Sequence, residues 1–291
     1  MKKPSIDIVI TTYNGRHLLG KHLPNVIKHS PGINQIIVVD DGGGDDTTEF
    51  LQKSYPEVTY LKNPHNIGFT KSTNRGVAQS KADLVVLLNN DVSPQKDYLK
   101  KAIKYFQDKK VFAITFNEIH SSWPQVSWKK GKLHFTQGED KTLARFSAWA
   151  SGGSSIIKRA LWNELGGFNE VYSPGYWEDI DLGWRAWKNG YKIIWDPLST
   201  VNHQHESTFK KLDPNFINLI KQRNELLFLW QNITDLSLRA SHLSFLLTHS
   251  LAHPGYFKVI LAAIKSLPRL KRHQSTVSDL SILNQINNIY E

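Results

Sequence analysis

Four short runs of Val, Ile and Leu dominate the first hundred residues: IDIVITT (6–12), QIIVVD (35–40), VTYL (58–61) and ADLVVLLN (82–89). Between them, at 15–29, 46–54 and 70–81, the patterning is helical, and a further helix is expected at 95–108. Apolar runs without polar alternation are buried on both faces, as in parallel strands covered by helices. The spacing therefore predicts an α/β fold with a mostly parallel, Rossmann-like sheet flanked by helices. Ligands of such sheets bind beyond the carboxyl ends of the strands. The clusters TTYN, DDGGGDD and NND all fall at those ends, which predicts a single crevice.

After residue 110 the pattern changes. VFAITF (111–116) reads as a strand, QVSWKKGKLHF (125–135) as a hairpin turning at Lys130-Gly131, and KIIWD (192–196) as another strand. SGGSS (151–155) precedes a strand and a short helix, and from about 208 the chain reads as helical. A length of 291 residues accommodates one large α/β domain with a smaller appendage. The net charge of +10 calls for an anionic partner: a nucleotide, a nucleic acid or an acidic membrane surface. Cysteine is absent, which excludes disulfides, thiolate zinc sites and a Cys nucleophile, and fits a reducing compartment. The N-terminal apolar run is short and interrupted by Asp7, so it reads as a strand and not as a signal peptide. No stretch reaches the roughly 20 apolar residues of a membrane span.

Several motifs fail on spacing. GFTKST (68–73) has Thr70 where a phosphate loop needs Gly before its Lys, and Gly42–Gly44 lacks the dinucleotide fingerprint. DDGGGDD lacks the alternating ligands of a calcium loop. HQHE (203–206) brings two imidazoles together without a third zinc ligand nearby in sequence. A diphosphate carried on Mg2+ or Mn2+ suits the elements better, because those ions take carboxylate and phosphate oxygens. Asp91 stands at a strand end to supply one ligand, Asn90 beside it faces the cation or a ribose, and His203 adds an imidazole that manganese accepts. The same Asn-Asn-Asp is also what a simple turn with an Asx cap looks like.

WEDIDLGWR (177–185) packs Glu178, Asp179 and Asp181 into four positions. Asp181 and Arg185 have the spacing of a helical ion pair, and acids in a first turn suit the helix dipole. Neither effect accounts for Glu178 and Asp179 together, behind the aromatic, Pro and Gly loop YSPGYW. Adjacent carboxylates raise one another's pKa, which suits a general base. Trp177 and Tyr176 are candidates to stack on a sugar face.

The ordered set ITTYNG (10–15), VVDDGGGDDT (38–47), NIGFTKSTNRG (66–76), LLNNDV (87–92), LGGFNEVY (165–172), WEDIDLGWRAWKNGY (177–191) and VNHQHEST (201–208) resembles family 2 of the nucleotide-sugar glycosyltransferases. The rhamnosyltransferase-like branch is the most similar, and the likeness runs from residue 5 to about 230, including Gln222-Arg223-Asn224. The resemblance implies a GT-A fold, inversion at the anomeric carbon and a divalent metal cofactor. It implies that Thr11, Tyr13 and Asn66 line the nucleotide pocket, that Asp41 accepts from the base, with Asp40 an alternative, and that Lys71 approaches the nucleotide. Asn90 and Asp91 stand at the metal motif, with Asn in place of its first acids, and His203 completes the site. Asp179 matches the catalytic base, and Glu178 tunes it or binds acceptor. Residues 1–110 would then form the nucleotide-sugar half and 111–207 the acceptor half of a catalytic domain. Residues 208–291 would be a helical, basic extension.

That extension carries ten Lys and Arg against five Asp and Glu. On a helical wheel Lys258, Lys265, Arg269 and Arg272 share one sector, with Phe257, Ile260, Ile264 and Leu267 turned mostly away, as in a helix lying on a membrane surface. The expected protein is thus a cytoplasmic, peripheral membrane glycosyltransferase. It would move a sugar, dTDP-rhamnose being one donor, to a lipid-linked or cell-surface glycan. A nucleotidyltransferase and a non-catalytic nucleotide-binding module are the alternatives; nucleic acid is not an expected partner.

Overall fold

The computed structural model describes residues 3–205, 213–269 and 276–290. The first half builds β1 (Ile6–Thr12), α1 (Arg16–His29), β2 (Gln35–Asp40), α2 (Thr47–Ser54), β3 (Thr59–Lys62), α3 (Phe69–Gln79) and β4 (Leu84–Asn89). Along β1 the side chains alternate between two cores. Ile6, Ile8 and Ile10 pack on one face and Val9 on the other, and β2 and β4 repeat the pattern. This two-sided burial is why the runs read as continuously apolar. Gly76 brings α3 onto the sheet, since a Cβ there would sit 2.4 Å from Val9.

Next come β5 (Val92–Pro94), α4 (Tyr98–Ile103), β6 (Val111–Glu118), the hairpin β7 (Pro124–Lys129) and β8 (Lys132–Gln137), β9 (Arg145–Phe146), β10 (Ser154–Lys158), α5 (Arg159–Leu165), α6 (Glu178–Lys188) and β11 (Lys192–His203). The expected helix at 95–108 is a short α4 that tightens into a 3-10 turn over 104–107. The strand expected at 192–196 continues, through a bulge, to His203.

The main sheet runs β3-β2-β1-β4-β10-β6-β11-β5. β1 is parallel to β2 and β4, and β6 to β11; β10 enters antiparallel between β4 and β6. The sheet is therefore mostly parallel, as expected. The antiparallel β10 delivers residues 151–154 to the same edge as the end of β4.

The C-terminal region is helical, as read: α7 (Pro214–Asn232), α8 (Leu236–Ala252), α9 (Phe257–Ser266) and α10 (Asp279–Gln285). It does not stand apart. Leu226, Leu227 and Phe228 share one apolar cluster with Trp184 and Ile193, and Lys188 pairs with buried Asp279 at 2.7 Å.

Candidate active site

The expected ion pair is the anchor of the acidic loop. Arg185 donates to Asp181 at 2.8 Å through Nε and 2.7 Å through Nη2, with both side chains buried. The same guanidinium holds the carbonyls of Leu165 and Gly167. Asp181 also accepts from Asn232 at 2.8 Å and Tyr172 at 3.2 Å. Asp181 is consumed by structure, which leaves Glu178 and Asp179 for chemistry.

Tyr176 and Trp177, just ahead of α6, adopt φ of 73° and 78°. Such values are costly for side chains this bulky and persist only where neighbours enforce them. Asn224 on α7 does so: its amide donates to the carbonyls of Tyr172, Gly175 and Tyr176 at 2.8–3.1 Å. Arg223 adds a bond to the carbonyl of Ser173 at 3.0 Å. Arg223 and Asn224 of α7 are the clamp of the acidic loop.

Among the described residues Asp179 is in no ion pair. Its Oδ1 takes the N–H of Ile180 at 2.8 Å and its Oδ2 that of Gly152 at 3.3 Å. Burial raises its pKa against these two bonds. Glu178 is 6 % exposed and its Oε2 has no partner. Burial, and then the charge of Asp179, push its carboxyl well above the usual range. Both acids line a cleft of about 480 Å³ whose other walls include Phe135, Trp149, Lys221 and Glu225. Trp177 is edge-on to Phe135 and packed against Phe228, so part of its surface belongs to the wall and not to a ligand.

The second cluster assembles at the strand ends. β5 pairs antiparallel with the end of β11, setting His203 opposite Val92 and hence beside Asp91. His203 Nε2 lies 3.1 Å from Asp91 Oδ1, and Nδ1 lies 2.9 Å from Glu118 Oε1. Burial works against the charged imidazole, but the two carboxylates prevail and lift its pKa to about 9. His205 stacks on His203 and reaches Glu118 at 3.1 Å. Ligand atoms of Glu118, His203 and His205 lie within 4.8 Å of one another. The carboxylate oxygens suit Mn2+ or Mg2+, and an imidazole nitrogen beside them is a ligand that Mn2+ accepts.

The sequence alone did not point to Glu118. Its signal was present nonetheless: an acid closing an apolar strand run, as Asp40 and Asp91 do. It also supplies the third group near His203 and His205 that their neighbourhood in sequence lacked. Glu206 of the HQHE motif lies outside the described residues.

The loop of residues 151–154 joins the two clusters. Gly152 donates to Asp179, Gly153 accepts from the backbone of Asn89 at 2.9 Å, and Ser154 donates to Glu118 at 2.8 Å. Asp179 and the cluster of Asp91, Glu118 and His203 thus sit on opposite sides of one short turn.

The nucleotide-side residues meet with mixed results. Thr11 pairs in register with Asn89, and Asn90 donates to Thr12 at 2.8 Å. Thr11 and Asn90 are half-buried at the carboxyl ends of β1 and β4, as is Tyr13 just beyond β1. Asn66 is exposed, its side chain accepting from Gly68 at 3.1 Å. Asp41 is buried, and its oxygens accept from Asn63, Ile67, Gly68 and Ser72 at 2.8–2.9 Å. It clamps the 63–72 loop. Asp40, taken by Gly43 and Tyr60, is equally engaged.

Residues 4–216 match the family model described as Glycosyltransferase like family 2. The chain belongs to that family. Among curated proteins, this family 2 chain is 24% identical over 184 residues to the pre-mycofactocin glycosyltransferase of Mycobacterium tuberculosis, covering 60% of the chain and 38% of that relative. It thus spans well under half of that protein. It is also 24% identical over 246 residues to the N-acetylglucosaminyl-diphospho-decaprenol L-rhamnosyltransferase of the same organism, covering 72% of the chain and 78% of the relative. The solved structure of GalNAc-T7 with UDP, GalNAc and Mn2+ superposes with a TM-score of 0.64 at 16% identity, over 78% of this chain and 48% of that one. The mannosyltransferase PcManGT from Pyrobaculum calidifontis, in complex with GDP-Man and Mn2+, gives 0.59 at 17% identity, over 94% and 77%. The fold of the family 2 chain is that of the GT-A glycosyltransferases.

Proposed function

We propose that this chain transfers a glycosyl group from a nucleoside-diphosphate sugar to a hydroxyl, inverting the anomeric carbon, with Asp179 as general base. The observation that carries this reading is the 151–154 turn, which bonds Asp179 on one side and the Asn89 and Glu118 strand ends on the other. Residues 1–110, with Thr11, Tyr13, Asn66 and Asn90, hold the donor, and residues 111–207 face the acceptor. Asp91 and His203 hold a divalent cation, Mg2+ or Mn2+, which when bound neutralises charge on the diphosphate.

The acceptor hydroxyl enters the cleft at Asp179. Its oxygen forms the new bond to C1 while the bond from C1 to the diphosphate oxygen breaks, and its proton passes to the Asp179 carboxylate. Each Asp179 oxygen receives one backbone N–H, which fixes the carboxylate while leaving lone pairs for that proton. Glu178, its carboxyl raised well above the usual range by burial and the Asp179 charge, binds the acceptor hydroxyl beside it. A lipid-linked or cell-surface glycan is the acceptor class, and dTDP-rhamnose the first donor to test. The support is the relative named for rhamnosyl transfer onto a diphospho-decaprenol sugar. No helix among the described residues is long and apolar enough to cross a membrane. The basic C-terminal region provides peripheral contact on the cytoplasmic face. Lys258 and Lys265 are exposed on α9 and Arg269 just beyond it; Arg272 lies outside the described residues.

The deciding experiment is Asp179→Asn, assayed with a panel of UDP-, dTDP- and GDP-sugars and Mn2+. Transfer should fall by about 10² to 10⁴-fold while the donor still raises the melting temperature; near-full turnover would remove Asp179 from the mechanism.

A further inference from the structure

Two openings meet at Gln222. One is the cleft that holds Asp179. The other is a groove of about 530 Å³ between α7 and the corner where α8 turns into α9. Asn218, His249, His253 and Lys258 stand in the groove's walls, and among the described residues no carboxylate does. Imidazole and amide N–H groups with an ammonium are donors for a phosphate, and the missing acids leave nothing to repel it.

Beside the groove, the outer side of α8 presents Leu236, Leu243, Leu247 and Leu251, each at least 60% exposed, and α9 continues with Phe257 and Leu261. Half of the large exposed apolar side chains among the described residues fall between 236 and 267. A patch of that kind marks an interaction surface. Its charge is one-sided: Arg239, Lys258, Lys265 and Arg269 accompany it, and the sequence holds no Asp or Glu between Asp235 and Asp279. A two-fold pairing with a second copy would set this patch against itself, cation facing cation. An anionic bilayer answers both properties, taking the leucines into its interface and the cations at its headgroups.

We infer that this face rests on an anionic bilayer and that the groove binds the phosphate headgroup of a lipid-linked acceptor, whose sugar reaches Asp179 past Gln222. The identity of the ligand as acceptor rests on the glycosyltransferase reading; the binding itself needs no catalysis. Leucines that point into water in the free chain become buried on docking. That docking holds the cleft at the height of the headgroups, so that the acceptor is reached without leaving the membrane.

The test is co-sedimentation of the full chain with vesicles of phosphatidylcholine alone, of phosphatidylcholine with phosphatidylglycerol, and of phosphatidylcholine doped with a polyprenyl diphosphate. Soluble pyrophosphate serves as competitor. Anionic vesicles should bind on the order of tenfold more tightly than neutral ones. Leu243→Ser/Leu247→Ser/Leu251→Ser should abolish binding to all of them with an unchanged melting temperature. Lys258→Glu/His253→Ala should lose selectively the gain from the polyprenyl diphosphate. Asp179→Asn should bind vesicles like the unaltered chain whatever its transfer rate, which separates failure of the docking from failure of the chemistry. Three results would overturn the inference: vesicle binding unchanged by the triple leucine variant, a dimer that this variant disperses without any vesicle binding, or a groove that takes soluble pyrophosphate while ignoring doped vesicles.

Discussion

Glu118 accepts the Nδ1 proton of His203 at 2.9 Å, leaving the other ring nitrogen turned toward Asp91. Glu118 is itself held ionised: burial raises its pKa, but the bonds from His203 and Ser154 outweigh that and lower it. An ionised carboxylate can only accept, so the Nδ1 proton is assigned by chemistry. Such a partner fixes the orientation of a metal-binding imidazole and raises its basicity. Glu118→Gln should weaken Mn2+ binding by about 10 to 100-fold, measured by calorimetry on a chain whose melting temperature shows it folded. Unchanged affinity would show that Glu118 does not govern the ring.

With its pKa lifted to about 9, His203 carries a second proton at neutral pH in the metal-free protein, on the Nε2 that faces Asp91. A cation must displace that proton. Apparent Mn2+ affinity should therefore climb from pH 6 to about 9 and then level off. The linked stability has the opposite slope. The folded pKa lies above the unfolded one, so the metal-free chain holds this contribution in full below about 6.5 and loses it as pH rises through 9. Denaturant titrations across that range check the sign.

Glu178 and Asp179 titrate as a pair, both raised. The transfer rate should fall on acidification while the pH is still above the ordinary carboxylate range, because the base is protonated early. For stability, a raised carboxyl favours the fold below its unfolded pKa and costs it as pH rises toward the folded one. Glu178→Gln should thus stabilise the chain at pH 7–8 and change little near pH 4, as read by thermal melts at both values. A variant that melts lower at pH 8 would contradict the raised carboxyl of Glu178.

Asp181→Ala leaves the Arg185 guanidinium buried without its counter-ion. The expected loss is about 3–5 kcal/mol, enough to consume a large part of a domain's margin. Replacing both by Met and Leu should cost far less. Equal losses in the two variants would mean that the pair is not the anchor.

Asn224→Ala removes three bonds from the loop that holds Tyr176 and Trp177 at positive φ. Turnover should fall with little change in donor affinity, since the loop serves Asp179 and not the nucleotide. Steady-state kinetics separate the two; a loss confined to donor binding would reassign the clamp.

The strands were legible because Ile8, Val9, Ile36 and Ile37 are buried on alternate faces of one sheet, and such runs have few other uses. Asp181 and Arg185 were legible because a four-residue spacing is a local rule. Asp91 and His203 were visible as residue types at strand ends, but their meeting depends on the antiparallel pairing of β5 with β11, which no local pattern encodes. The engagement of Asp41 was not legible, because an acid at a strand end looks the same whether it faces a ligand or takes side-chain and backbone donors from a loop 22 to 31 residues further on. Glu118 went unseen for the same reason: its partners are 36 and 85 residues away. The helical C-terminal region was read correctly as helix, while its share in the common core rests on Phe228 and neighbours whose apolar character alone names no partner.

The bond between β5 and the tail of β11 also orders events in time. Asp91 emerges from the ribosome early, and its imidazole partner follows more than a hundred residues later. Until β11 has been synthesised through His203 and laid against Val92, the contact between Asp91 and His203 that the proposed cation site requires cannot form. On that proposal, cation binding waits until the acceptor-side strands and acidic loop have all been made.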